Sequence, residues 1–267
     1  MRSEVHMIDP KLGLHELANS FQLRSARHQA EELLSNLDNL VENTINKAPM
    51  RPKDFCLDRV TDPELTHEED KWERAMYRKW GPEGSGEYVS ICKRIQTYQY
   101  PLQASFKDRC WGKIDLLGIG TDFLPAPNEL KKGKTNESPL RMPVEVAAYG
   151  FAIRKVWPNL KDSWVKAVRR FEGCPSRFPA NLDKVTLVGV APEEYWCRSL
   201  GRMPGTKVGA FPSEAWPPFW KLVDALKTKG FDIHFVTVEG DWNDAARRRP
   251  TITGARVLEL RSLSAAL

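Results

Sequence analysis

Residues 113–149 read KIDLLGIGTDFLPAPNELKKGKTNESPLRMPVEVAAY, and this stretch decides the fold. Its first part, with Gly112 ahead of it, is GKIDLLGIG: apolar, of strand length, interrupted by a single carboxylate at Asp115. Gly120, Thr121 and Asp122 then supply turn chemistry. A second strand-length run, Phe123–Lys131, ends in NELK. Side chains alternate across a strand, so Glu129 and Lys131, two apart, share one face. From Pro139 to Val156 the apolar period lengthens: Val144, Ala147, Ala148, Phe151 and Ala152 fall on one side of a helix. Strand, turn, strand, helix is the reading.

Working outward toward the N-terminus, Tyr98–Phe106 and Trp111–Ile119 join Phe123–Lys131 as three consecutive strands in a meander. A helix is expected ahead of them, from Glu87 to Ile95, after the break GPEGSG at Gly81–Gly86. Thr66 and Glu69 have capping-box spacing for another helix ending near Trp80. Ala48–Pro63, with Pro49, Pro52 and Pro63, reads as a linker or loop. From His15 to Lys47 the chain is helical in pattern, with Leu33, Leu34, Leu37, Leu40, Val41 and Ile45 forming a stripe. The stripe packs on the body of the protein; the alternative is a docking arm joining a homodimer or a larger complex.

Toward the C-terminus a helix is expected over Asp162–Phe171 and a buried strand over Lys184–Val190. A helix over Pro217–Lys229 ends at Gly230, and strands follow at Phe231–Val238 and Arg256–Leu260. The order predicts an α/β protein with a mixed-direction sheet and helices on its faces.

With 41% hydrophobic and 28% charged residues among 267, the chain can bury a core. It has no apolar run of the ~20 residues a membrane span needs, and no apolar stretch of a secretory signal near its start. A cytoplasmic protein with no membrane partner is the expectation. The net charge of +5 is compatible with a polyanion without requiring one. Basic residues cluster at Lys131, Lys132 and Lys134, at Lys166, Arg169 and Arg170, and at Arg247–Arg249. Each cluster taken alone is a solvated face. Cys56, Cys92, Cys110, Cys174 and Cys197 include no CxxC pair, and the five histidines show no metal-ligand spacing, so no zinc site is expected.

The chemistry concentrates on the hairpin. A carboxylate inside an apolar strand is costly unless something pairs with it. If the two strands pair, Asp115 reaches the face that carries Glu129 and Lys131. Two carboxylates beside a lysine suit Mg²⁺, which takes one or two protein carboxylates and leaves the rest of its shell to water and phosphate. Mn²⁺ is expected to substitute.

Asp115 in GKIDLLGIG, followed by Glu129-Leu130-Lys131 in NELKK, resembles the PD-(D/E)XK nuclease superfamily, nearest its RecB-type and lambda-exonuclease-type branch. The resemblance spans about Glu87 to Val190 and implies a restriction-endonuclease-like core, α-β-β-β-α-β. It implies an N-terminal helical region and linker over residues 1–62 and a nuclease-like domain over 63–267. Asp115, Glu129 and Lys131 are then the catalytic residues, with metal held by Asp115, Glu129 and the Leu130 carbonyl. The RecB-type branch carries Gln-x-x-x-Tyr on the following helix; here it is Glu145-x-x-x-Tyr149, so Glu145 stands where that branch has glutamine. Some members add a Glu from the helix before the meander, for which Glu87 is the candidate, with Glu69 and Glu73 behind it. Some hold an iron–sulfur cluster through cysteines near the C-terminus; nothing after Cys197 could supply them, so no cluster is expected.

The resemblance implies Mg²⁺-dependent cleavage of DNA, with RNA as the other polymer, and phosphate contacts from Lys132, Lys134, Lys166, Arg169 and Arg170. Three competing readings stay open. Asp115 is a water-facing strand residue and Glu129–Lys131 a surface pair; or the fold is kept as a nucleic-acid-binding or assembly subunit with little or no cleavage; or the protein is an unrelated α/β protein with its carboxylates far apart.

Overall fold

The structure, a computed structural model, describes residues 8–9, 11–17, 20–21, 25–50, 68–102, 111–133, 135, 137–202, 210–240 and 250–267. Thr66, Cys56, Cys110, Lys134, Arg247–Arg249 and most of the proline-rich stretch lie outside the described residues. The elements are α1 (Leu14–Leu17), α2 (Ala26–Lys47), α3 (Glu68–Trp80), β1 (Cys92–Pro101), β2 (Lys113–Gly120), β3 (Pro125–Leu130), α4 (Arg141–Val168), β4 (Val185–Pro192), α5 (Glu193–Ser199), α6 (Trp216–Thr228), β5 (Phe231–Gly240), β6 (Ile252–Val257) and α7 (Leu260–Ala265).

The six strands form one mixed sheet in the order of the chain, β1-β2-β3-β4-β5-β6. The meander is antiparallel. β3–β4 and β4–β5 are parallel, and β6 closes the sheet antiparallel. Parallel neighbours need crossover connections, and crossovers that keep one hand and advance in one direction fall on the same face. α4 and α6 accordingly share one face, where Ile114, Leu117, Leu187, Phe231 and Phe235 meet Val144, Phe151, Phe219 and Leu222. α2 lies over this layer, and its Leu33, Leu37, Leu40 and Val41 belong to the same core, as the stripe predicts. α3 covers the opposite face, with Trp72, Met76 and Trp80 against Ile95, Leu116, Leu130, Val188 and Val236. Among the described residues no helix is long and apolar enough to cross a membrane.

Three local expectations are corrected. Glu87–Ile95 is not a helix: Val89 bridges back to Cys92, and β1 begins at Cys92, six residues before the expected strand start at Tyr98. The three-residue steps from Val89 to Cys92 to Ile95 read as helical, but β1 is irregular, with register shifts at Cys92/Arg94 and Ile95/Thr97, and pairing with Ile119 and Gly118 of β2 makes it a strand. The helices expected at Pro139–Val156 and Asp162–Phe171 are one helix, α4, running through Pro158. Its halves are tied to the body by the indole N–H groups of Trp157, donating to Pro179 O at 3.1 Å, and Trp164, donating to Phe123 O at 2.8 Å. The last strand starts at Ile252, not Arg256, and α7 follows it.

β3 is an interior strand that contains Pro125 and Pro127. The Lys131 N–H donates to Val190 O at 2.8 Å, so odd-numbered N–H groups of this segment face β4. The prolines lack donors on that side, where pairing with β4 begins only at Asn128. The cost of proline in a sheet is avoided by register.

Candidate active site

The β2–β3 ladder pairs Leu116 with Asn128 and Leu117 with Pro127. One step further, the register sets Asp115 opposite Glu129, and opposite residues of an antiparallel pair share a face. The Leu130 N–H points toward β2 past the end of the backbone ladder, and Asp115 Oδ2 accepts it at 2.7 Å. The Leu130 carbonyl turns the same way as its N–H. The hairpin thus brings Asp115, Glu129, Lys131 and the Leu130 carbonyl to one end of the sheet, as the sequence predicts.

α4 approaches that end closely because β4 carries Gly189 beside Glu129. A Cβ there would stand 2.1 Å from Met142 Sδ in the first turn of α4. The approach lowers Glu145 onto Lys131. The Lys131 ammonium donates to Glu129 Oε1 at 2.5 Å and to Glu145 Oε2 at 2.6 Å, and lies 3.4 Å from Glu137 Oε2. Arg141 donates to Glu145 Oε1 at 2.9 Å and pairs with Glu137 at 2.8 Å. Lys131, Glu129 and Glu145 are all buried, at 3%, 4% and 7% exposure. Asp115 is partly exposed.

Charge is out of balance here. Burial, then the neighbouring Asp115 and Glu145, push the Glu129 carboxyl well above the usual range despite Lys131. Burial and Glu73 do the same to Asp115. Burial also opposes the charged form of Lys131, but Glu129 and Glu145 outweigh it and hold the ammonium well above the lysine range. Burial likewise opposes ionisation of Glu145, and Lys131 and Arg141 outweigh it, so Glu145 is lowered. The two buried carboxyls compete for one ammonium; Glu145, which also has Arg141, is lowered while Glu129 is raised.

The residues expected around the site fare unequally. Tyr149 is on α4, one turn from Glu145, and burial and the charges of Glu129, Glu145 and Asp115 push its phenol up. Glu87 is corrected: it is exposed, in the bend before β1. The carboxylate from the preceding helix is instead Glu73 of α3, 3% exposed, with Oε2 unpartnered. Burial, Asp70 and Glu129 raise it well above the usual range. Lys132 is at the site, and its charge bears on the half-buried Glu69. Lys166, Arg169 and Arg170 are not: they lie at the far end of α4, roughly 30 Å along the helix from Glu145 at ~1.5 Å per residue.

Arg141, Glu137 and Tyr195 also belong to the cluster. The i, i+4 spacing of Glu137, Arg141 and Glu145 was a readable signal. Tyr195 had none. It comes from α5, is buried with its hydroxyl unpartnered, and is pushed up by burial, Glu137 and Glu145 against Lys131 and Arg141.

The donor set is all oxygen. Glu129 Oε2 and Glu73 Oε2 are buried without partners, and the excess of carboxylates is what an added cation offsets. That fits a hard divalent ion with one or two protein carboxylates. Among the described residues no three His, Cys, Asp or Glu side chains stand as a ready ligand set, and Lys131 draws Glu129 toward α4. No family model, curated protein or solved structure matches this chain.

Proposed function

We propose that this cluster is the active site of a Mg²⁺-dependent phosphodiesterase that cleaves DNA. The observation that carries the reading is that Asp115, Glu129 and Glu73 press on one another electrostatically, Glu129 and Glu73 keeping unpartnered buried oxygens, near the buried Lys131. The order α3-β1-β2-β3-α4-β4 accords with the α-β-β-β-α-β core of the PD-(D/E)XK superfamily, which supports a restriction-endonuclease-like reading of the fold.

Asp115, Glu129 and the Leu130 carbonyl would hold the ion, and Glu73 would add a carboxylate from α3. Bound Mg²⁺ supplies a water of lowered pKa and offsets charge on the phosphate. Lys131, once released from Glu129, would donate to the developing negative oxygen of the phosphate. Glu145 keeps Lys131 in place from α4, and Tyr149 lines the same side. Lys132 meets a flanking phosphate.

The test is incubation with linear, circular and single-stranded DNA, and with RNA, in Mg²⁺ or Mn²⁺. Cleavage that is lost in both Lys131→Ala and Asp115→Ala supports the assignment; cleavage that survives both overturns it. The lock of Lys131 between Glu129 and Glu145 favours a second reading, a nucleic-acid-binding or assembly subunit with little cleavage. Calorimetric titration with Mn²⁺ separates the two: no binding favours the second.

A further inference from the structure

A groove of about 500 Å³ runs between the C-terminal half of α4 and residues 176–178. Its walls carry Lys161, Lys166, Arg169 and Arg177 against a single carboxylate, Asp162, and Phe178 contributes an aromatic surface. Lys161 donates to the Phe178 carbonyl at 3.0 Å, which positions the ammonium without cancelling its charge. Lys166, Arg169 and Arg177 are exposed, and among the described residues none of them forms an ion pair. Four cations held this close repel one another, and an anion in the groove relieves that.

We propose that this groove binds the backbone of a nucleic acid, at a place distinct from the Lys131 site. Lys161 to Arg169 spans eight residues, roughly 12 Å of helix. Measured along a duplex axis, that is three to four base-pair steps at about 3.4 Å of rise. Guanidinium groups pair with phosphate in a two-pronged way, and an aromatic beside a basic channel offers a stacking surface for a base. The choice of nucleic acid over another polyanion rests on the phosphodiesterase reading. The groove lies roughly 30 Å from Glu145 along α4, so it anchors substrate and does not enter the chemistry.

The test is fluorescence anisotropy with labelled single-stranded and duplex DNA of about 30 nucleotides, in chelator, between about 50 and 200 mM salt. The double variant Lys166→Glu/Arg169→Glu is expected to bind at least ~10-fold more weakly, with a log K against log salt slope shallower by about one unit or more. The control Lys11→Glu/Lys221→Glu makes the same charge change elsewhere on the surface and is expected to bind like the unaltered protein. Thermal melting checks that both variants are folded. Equal binding by the two double variants, or no binding by the unaltered chain, overturns the proposal. Displacement of DNA by polyglutamate as effective as by unlabelled DNA, charge for charge, overturns the choice of nucleic acid. Binding in chelator does not depend on cleavage, so loss of the phosphodiesterase reading and loss of the groove are separate results.

Discussion

Asp115 accepts the backbone N–H of Leu130, the residue between Glu129 and Lys131, at 2.7 Å. The side chain therefore completes the ladder that the β2 backbone leaves off, and it fixes the register of the two residues beside it. Asn at 115 keeps an acceptor and removes a carboxylate. Asp115→Asn is expected to stay within about 1 kcal/mol of the parent in urea unfolding, while Asp115→Ala loses about 1–3 kcal/mol for the abandoned N–H. Both are expected to lower DNA cleavage by at least ~100-fold. Equal stability of the two variants would remove the structural role.

Lys131→Met tests the ionic cluster. Removing one partner from a buried pair typically costs about 3–5 kcal/mol, because the other charge is left uncompensated. Without the ammonium, Glu129 and Glu145 fold only with raised pKa values. A carboxyl whose folded pKa is raised favours the folded state most below its unfolded pKa and loses that advantage as pH rises. The deficit of Lys131→Met is therefore expected to be largest near neutral pH and to shrink toward pH ~4.5. Urea midpoints across pH read this, and a deficit that is flat with pH contradicts the cluster.

His15 stacks on Trp111 with ring centroids 3.9 Å apart, and neither ring nitrogen has a partner. Burial, with Lys47 adding to it and Glu16 opposing, lowers its pKa to about 4. A base lowered on folding keeps its full contribution above its unfolded pKa and loses it as pH falls toward the folded value. Through His15, acidification from pH 6.5 to about 4 is expected to cost the parent about 2 kcal/mol relative to His15→Phe, after discounting for solvent. His15→Phe is expected to abolish that dependence and to equal or exceed the parent at neutral pH, since it replaces two orphaned nitrogens with carbon.

Pro158 interrupts the hydrogen bonding of α4 from within. Pro158→Ala is expected to raise stability by about 1–3 kcal/mol. A loss instead would mean that the packing of Trp157 and Trp164 depends on the proline ring.

That proline also shows what the sequence conceals. Composition marks it as a helix end, and only the anchoring of both flanking tryptophans carries the helix through. The hairpin was legible because its signals are local: Asp115, Glu129 and Lys131 lie within one strand–turn–strand unit and obey the period of two. Glu73 was named only behind Glu87 because tertiary packing of α3 decides between them, and Tyr195 was missed because the seven residues of α5 are too few for a period to register. Lys166 and Arg169 were expected to hold phosphates, and the sequence carried no measure of their distance from Lys131. A continuous helix separates them from it.

The strand order has a kinetic side. Every strand bonds to the one made just before it, so the sheet can grow in the sequence of its synthesis, with the β2–β3 hairpin complete early. α2 cannot follow that schedule. Its Asp38 meets Lys229, 191 positions later, at 2.5 Å. At about 5–20 residues per second on the ribosome, α2 waits roughly 10–40 s for α6 to emerge. Through that interval Leu33, Leu37, Leu40 and Val41 have no α6 to cover them, and α4, made earlier than α6, is the first of the later helices they can reach.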